Sequence, residues 1–140
     1  MAALGKRSLQ SLQGIHPDLV RVMKEAIKET PVDFTITDGV RTTAQQKALY
    51  AKGRTAPGGI VTNADGVKKK SNHQPKADGH GYAVDLYPYV NGSVDFNDKG
   101  NQLPVIAAHI MATAKCLGVK LRWGGNFKSI KDNPHFELLK

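Results

Sequence analysis

Two histidines and two aspartates crowd around Gly79 and Gly81 in the stretch Ser71-Asn72-His73-Gln74-Pro75-Lys76-Ala77-Asp78-Gly79-His80-Gly81-Tyr82-Ala83-Val84-Asp85. A second cluster, Asp132-Asn133-Pro134-His135, lies far downstream. Histidine and carboxylate ligands drawn from two distant segments are what a mononuclear zinc site requires, with three from protein and an open fourth position in a catalytic site. A fold that joins the two clusters makes such a site. The opposing reading is two unrelated polar clusters on loops.

Strand alternation sharpens this. Residues 82–89 read as a strand, so Asp85 points with Ala83 and Tyr87, away from Val84 and Leu86. An aspartate in an otherwise apolar strand is costly without a strong partner, and a metal ion is one. His135 opens a last strand in which His135 and Glu137 share a polar face while Phe136 and Leu138 turn the other way. Asp132, three residues before His135, reaches from a loop toward the same place. Two histidines compete for the remaining position, His73 twelve residues before Asp85 and His80 five before it, and spacing alone does not choose between them.

Around these clusters the chain alternates helical and strand patterns. Residues 8–14 suit a short helix. Leu19, Val22, Met23, Ala26 and Ile27 form the apolar face of a second, with Pro17 in its first turn and Thr30-Pro31 at its end. Residues 32–37 are a strand with Val32, Phe34 and Ile36 on one face. Thr42 or Thr43 caps a helix over residues 44–52. Arg41 therefore stands at a strand-to-helix junction, where it can clamp a carboxylate in bidentate fashion or form a surface salt bridge. Residues 54–70 are a long loop, functional or mobile in a domain this size, and its Lys68–Lys70 run reads as solvated. Asn91-Gly92 signals a hairpin between residues 84–90 and 93–96, with Pro88 confining its strand to an edge or ending it locally. Pro104 opens a helix running to about residue 117, with Val105, Ala108, His109, Ala112 and Cys116 along one side and Gly118 as its C-cap. Residues 119–123 and 135–139 are the last strands. His16 and His109 read as structural. The order predicts an α+β fold: a single domain over residues 1–140, a small, mostly antiparallel sheet flanked by about three helices, and the site in a cleft.

Composition limits the function. The chain of 140 residues can bury one ordinary core without disulfides, and its single cysteine, Cys116, is read as a buried small hydrophobe. A net charge of +8 favours a polyanionic partner, either nucleic acid or a bacterial envelope. Aromatics at 6%, with no densely basic helix face, argue against nucleic acid. No apolar run approaches the roughly 20 residues of a membrane span, so no membrane insertion is expected. The first residues lack the apolar core of a secretory signal, so synthesis and retention in the cytoplasm are expected.

At Ser71-Asn72-His73, Gly81-Tyr82-Ala83-Val84-Asp85, Trp123-Gly124-Gly125 and Asp132-Asn133-Pro134-His135, the sequence resembles the zinc D-alanyl-D-alanine carboxypeptidase and L-alanyl-D-glutamate peptidase family, in its bacteriophage endolysin branch. Gly39-Val40-Arg41-Thr42 through Gln45 matches a further element of that family, and the resemblance runs from about Leu9 onward. It implies one Zn²⁺ per chain, held by His73, Asp85 and His135. It implies Asp132 as general base and then acid, Arg41 as a catalytic and substrate-binding residue, and Gln45 as a substrate-side residue. Residues 74–80 stand between His73 and Gly81 as an insertion relative to the family's usual spacing. The Ser-x-His context favours His73 as the ligand and leaves His80 to line the cleft. The implied reaction is cleavage of the L-Ala–D-Glu bond of peptidoglycan stem peptides by a monomeric phage lysin without a separate wall-binding domain. Such an enzyme is made in the host cytoplasm, depends on a holin or other membrane damage for release, and acts in the periplasm on the wall. The rivals are a D-Ala-D-Ala carboxypeptidase with the same zinc site and a non-enzymatic basic module that binds cell wall or nucleic acid.

Overall fold

A computed structural model describes residues 2–128 and 130–139. The elements are helix α1 (Lys6–Ser11), helix α2 (Pro17–Ala26, extended by a 3₁₀ turn Ile27–Glu29), strand β1 (Phe34–Asp38), helix α3 (Thr43–Ala51), strands β2 (Ala83–Val90) and β3 (Ser93–Val94), helix α4 (Leu103–Cys116), strand β4 (Leu121–Trp123), a 3₁₀ turn Gly124–Asn126, and strand β5 (His135–Leu138). The sheet order is β1-β2-β5-β4, with β3 folded back on β2 and every pairing antiparallel. The expected α+β architecture is therefore present.

Local chemistry explains where the elements begin and end. His16 caps α2, its Nδ1 accepting from the Asp18 N–H at 3.1 Å, and Pro17 fills the first position, where no N–H is needed. Leu19, Val22, Met23 and Ala26 of α2 are fully buried. They pack with Phe34, Ile36, Val84, Leu86 and Phe136 from the sheet in one core. Thr42 and Gln45 form a reciprocal capping box at the start of α3. Asp98 caps α4 from outside, its two carboxylate oxygens accepting from Gln102 N at 2.7 Å and Leu103 N at 3.0 Å. The strand β2 runs on through Pro88, because β5 pairs only with Ala83 to Asp85 and the sheet has a local free edge by then.

Four expectations need correction. The buried face of α4 is Leu103, Ile106, Ala107, Ile110 and Ala114, not the side carrying Val105 and Cys116. Both sets have helical spacing, and the larger aliphatics decide which turns inward. Cys116 is accordingly exposed, not a core residue. The hairpin's return strand is only Ser93–Val94, because Asp95 turns the chain by accepting from Asn97 N and Lys99 N. Strand β4 starts two residues late because Val119 N still bonds the helix carbonyl of Ala114 at 2.9 Å.

Candidate active site

Strand register delivers half of the site. In the β2–β5 pairing Asp85 lies directly opposite His135, and Ala83 opposite Glu137. Side chains of directly opposed residues project from the same sheet face. The core-facing partners Val84 and Phe136 pair on the other side. A bulge between Ile36 and Asp38 in β1 then redirects the chain into the Gly39–Arg41 turn beside Asp85. Gly39 is demanded there, because a Cβ would run into the Ser11 carbonyl oxygen.

His73 arrives from a turn whose shape is set by Ser71, which accepts from His73 N at 3.2 Å. Its Nδ1 lies 2.9 Å from the Gly39 carbonyl oxygen. A carbonyl only accepts, so Nδ1 carries the proton and Nε2 presents a lone pair. On His135 the arrangement is reversed: Nε2 is 2.7 Å from the Glu137 carboxylate and Nδ1 looks inward. Asn72 Nδ2 donates to the other Glu137 oxygen at 2.9 Å. Carboxylate or carbonyl partners on the outer ring nitrogens are the usual orienting device for metal-ligating histidines.

The inward atoms meet. His73 Nε2 and His135 Nδ1 are 3.1 Å apart, and Asp85 Oδ1 lies 3.3 Å from the first and 3.4 Å from the second. Asp85 Oδ1 is buried yet makes no well-aligned hydrogen bond. The three residues can together hold a metal ion, their ligand atoms all lying within 4.8 Å of one another. Two imidazole nitrogens and a carboxylate oxygen converge there; a proton on His135 relieves their repulsion in the metal-free protein, and a metal cation would relieve it in the proton's place. The donor set suits zinc.

Asp132 and Arg41 flank this cluster on the open side. Asp132 Oδ2 is 3.8 Å from His135 Nδ1. Its loop is pinned by Asp132 N donating to the Gly124 carbonyl and by His135 N donating to the Asp132 carbonyl. Gly124 is required in that crossing: a Cβ would collide with the Asp132 carbonyl oxygen and press on His135. Arg41 Nη2 is 3.7 Å from Asp85 Oδ2, and its Nη1 donates to Gln46 Oε1 at 2.8 Å.

Electrostatics follow from burial and these contacts. Burial raises the Asp85 carboxyl, but the two histidines outweigh it and hold Asp85 well below the ordinary carboxylate range. Burial lowers His135, but Asp85 and Glu137 outweigh it, so that in the metal-free protein its pKa is raised to about 9. Asp132 moves the other way: burial and the Asp85 charge raise it above the ordinary aspartate value. Burial and Asp85 together push the Tyr87 phenol up to about 12.

The cluster sits in a cleft of about 1120 Å³ whose lining includes Arg41, Gln45, Lys69, Lys70, Arg122 and Asp132. The family model for phage L-alanyl-D-glutamate peptidases matches residues 1–139. The chain belongs to this peptidase family. Among its relatives are the L-alanyl-D-glutamate peptidase of Escherichia phage T5, 35% identical over 91% of this chain and 83% of the relative. The peptidoglycan L-alanyl-D-glutamate endopeptidase CwlK of Bacillus subtilis is 35% identical over 84% of this chain and 67% of its own. In structure the peptidase resembles the L-Ala D-Glu endopeptidase ChiX of Serratia marcescens, with TM-score 0.74, 30% identity, and coverage of 96% of this chain and 87% of ChiX. The D,D-dipeptidase VanXYg, at TM-score 0.55 and 18% identity over 89% of this chain and 50% of its own, shares the fold.

The expected site residues thus divide. His73, Asp85, His135, Asp132 and Arg41 come together. His80 lies elsewhere: its ring is 5.7 Å from that of His16, and the 76–80 turn carries it away from the cleft. Gln45 lines the cleft, but its Oε1 is engaged by the Thr42 N–H in the capping box. Sequence reading missed Gln46, fully buried and bonded to Arg41. It also missed Asn72, and placed Glu137 on the correct face without a role.

Proposed function

We infer that this chain is a zinc-dependent L-alanyl-D-glutamate endopeptidase that cuts peptidoglycan stem peptides. The observation that carries this reading is the convergence of His73, Asp85 and His135, with Asp132 and Arg41 beside them in an open cleft, in a member of the phage peptidase family. His73 Nε2, Asp85 Oδ1 and His135 Nδ1 would hold the ion. Bound there, zinc supplies Lewis acidity toward a water and toward the scissile carbonyl. Asp132 takes the proton from the attacking water at Oδ2 and returns it to the leaving amine. Its raised pKa suits a group that must both accept and donate. Arg41 holds a substrate carboxylate or the negative charge that develops on the carbonyl oxygen. Tyr87, its phenol pushed up to about 12 by burial and Asp85, lines the same cleft.

The enzyme acts as a monomeric phage lysin. It is made in the host cytoplasm, is released by a holin, and works on the wall. Among the described residues no helix is long and apolar enough to cross a membrane, and the net charge of +8 favours retention on an anionic wall.

Digestion of purified peptidoglycan tests the reading. New N-terminal D-glutamate, abolished by EDTA and restored by zinc, is expected. Release of free D-alanine alone identifies a carboxypeptidase instead. Wall binding without any cleavage, unaffected by chelation, identifies a non-enzymatic module.

A further inference from the structure

The Lys68–Lys70 run is exposed, as a solvated loop is, but its backbone is held in place. Asp65 Oδ1 accepts from the backbone N–H groups of Val67, Lys68 and Lys69 at 2.9–3.0 Å, and Gly66 N bonds the Lys69 carbonyl, so the run is wound into a tight turn. Two buried glutamines dock that turn on the body of the protein. Gln74 Nε2 donates to the Gly66 carbonyl at 3.0 Å while its Oε1 accepts from Ser71 N at 2.9 Å. Gln46 Nε2 donates to the Ala64 carbonyl at 2.8 Å, and its Oε1 receives Arg41. Gln46 is 0% exposed and Gln74 3%. Buried side-chain amides with both ends engaged hold backbone in one place, since a lost partner leaves a polar group unsatisfied.

The result is a fixed rim on which Lys69 and Lys70 line the cleft, both exposed and without an acidic partner among the described residues. None of the four acids lining the cleft pairs with them: Asp132 sits beside His135, and Asp38 accepts from Thr37. Asp85 is committed to the histidines and Arg41, and Glu137 to His135 and Asn72. Unpaired ammonium groups on a rigid wall beside a reaction centre suit an anionic part of the substrate. A glutamate residue joined through either of its carboxyls keeps the other free, within a few bonds of the scissile nitrogen.

Resting on the peptidase reading above, we propose that Lys69 and Lys70 form a subsite for the free carboxylate of the substrate glutamate, and that Gln46 and Gln74 are positioning residues that hold this rim against the Arg41 side of the cleft. The insertion at residues 74–80 thereby has a role: its first residue, Gln74, is the tie.

The test uses the zinc-loaded, non-cleaving Asp132→Asn protein, titrated calorimetrically with a stem peptide bearing the free glutamate carboxylate and with the same peptide amidated there. The carboxylate form is expected to bind about tenfold tighter, the scale of one charge-assisted contact. In Lys69→Ala/Lys70→Ala the preference falls to about twofold or less, the amidated peptide binding as before. Gln74→Ala weakens only the carboxylate peptide, at unchanged zinc content, whereas a general structural defect weakens both. A lysine double variant that keeps the full preference overturns the subsite, and equal weakening of both peptides by Gln74→Ala overturns the positioning role. Failure of the otherwise wild-type enzyme to cut peptidoglycan, with the preference intact, sinks the peptidase reading and leaves the subsite standing.

Discussion

Glu137→Gln isolates the part played by a residue that acts through His135. The Glu137 carboxylate accepts from His135 Nε2 at 2.7 Å and from Asn72 Nδ2 at 2.9 Å. It fixes the His135 tautomer so that Nδ1 faces Asp85 and His73. Glutamine keeps the shape and can still accept one hydrogen bond. It loses the charge, and its amide nitrogen then meets the Asn72 amide donor to donor unless Asn72 turns over. Loss of such an outer carboxylate typically costs 10–100-fold in metal affinity, which is about 1.4–2.8 kcal/mol. We expect the lower end for Glu137→Gln and the upper end for Glu137→Ala, which leaves the buried ring N–H unsatisfied. Competition against a chromogenic zinc chelator measures the affinity, and kcat at saturating zinc should stay within a few-fold of wild type. If Glu137→Gln held zinc within threefold of the wild-type affinity, the orienting role assigned to Glu137 would be wrong.

Asp132→Asn should fold, bind zinc normally and lose at least about 100-fold in kcat with little change in KM; wild-type turnover would remove Asp132 from the mechanism. In the metal-free protein the His135 pKa is raised from 6.5 to about 9, so its contribution to stability is complete below pH 6.5 and is lost as the pH rises through 9. Denaturant midpoints of the metal-free protein should fall over that window. For the same reason zinc uptake near pH 7 should release about one proton, read by calorimetry in buffers of different ionisation enthalpy, and the release should vanish above pH 9. Gly124→Ala should separate the Asp132 loop from His135, costing about 2 kcal/mol or more in stability through the forced backbone shift and lowering kcat; a wild-type melting temperature would show that the crossing relaxes freely.

Much of the site was legible because its logic is periodic. Alternation alone set Asp85 apart from Val84 and Leu86, and put His135 and Glu137 on one face. The choice between His73 and His80 was not periodic. It depended on a turn and on the Gly39 carbonyl that receives His73 Nδ1, which are tertiary facts. The inward face of α4 was misjudged for a related reason: two stripes on one helix share the same spacing, and only contact with α2 and the sheet distinguishes them. Gln46 and Gln74 were hidden because buried amides have no signature in composition, and their partners are backbone carbonyls of residues 64 and 66.

Strand β5 is the last element in chain order, yet it lies between β2 and β4. Until it inserts, the sheet is two separate pieces, and the cluster has neither His135 nor the Asp132 loop seated. Assembly of the reaction centre therefore waits on the strand that joins the two pieces of sheet.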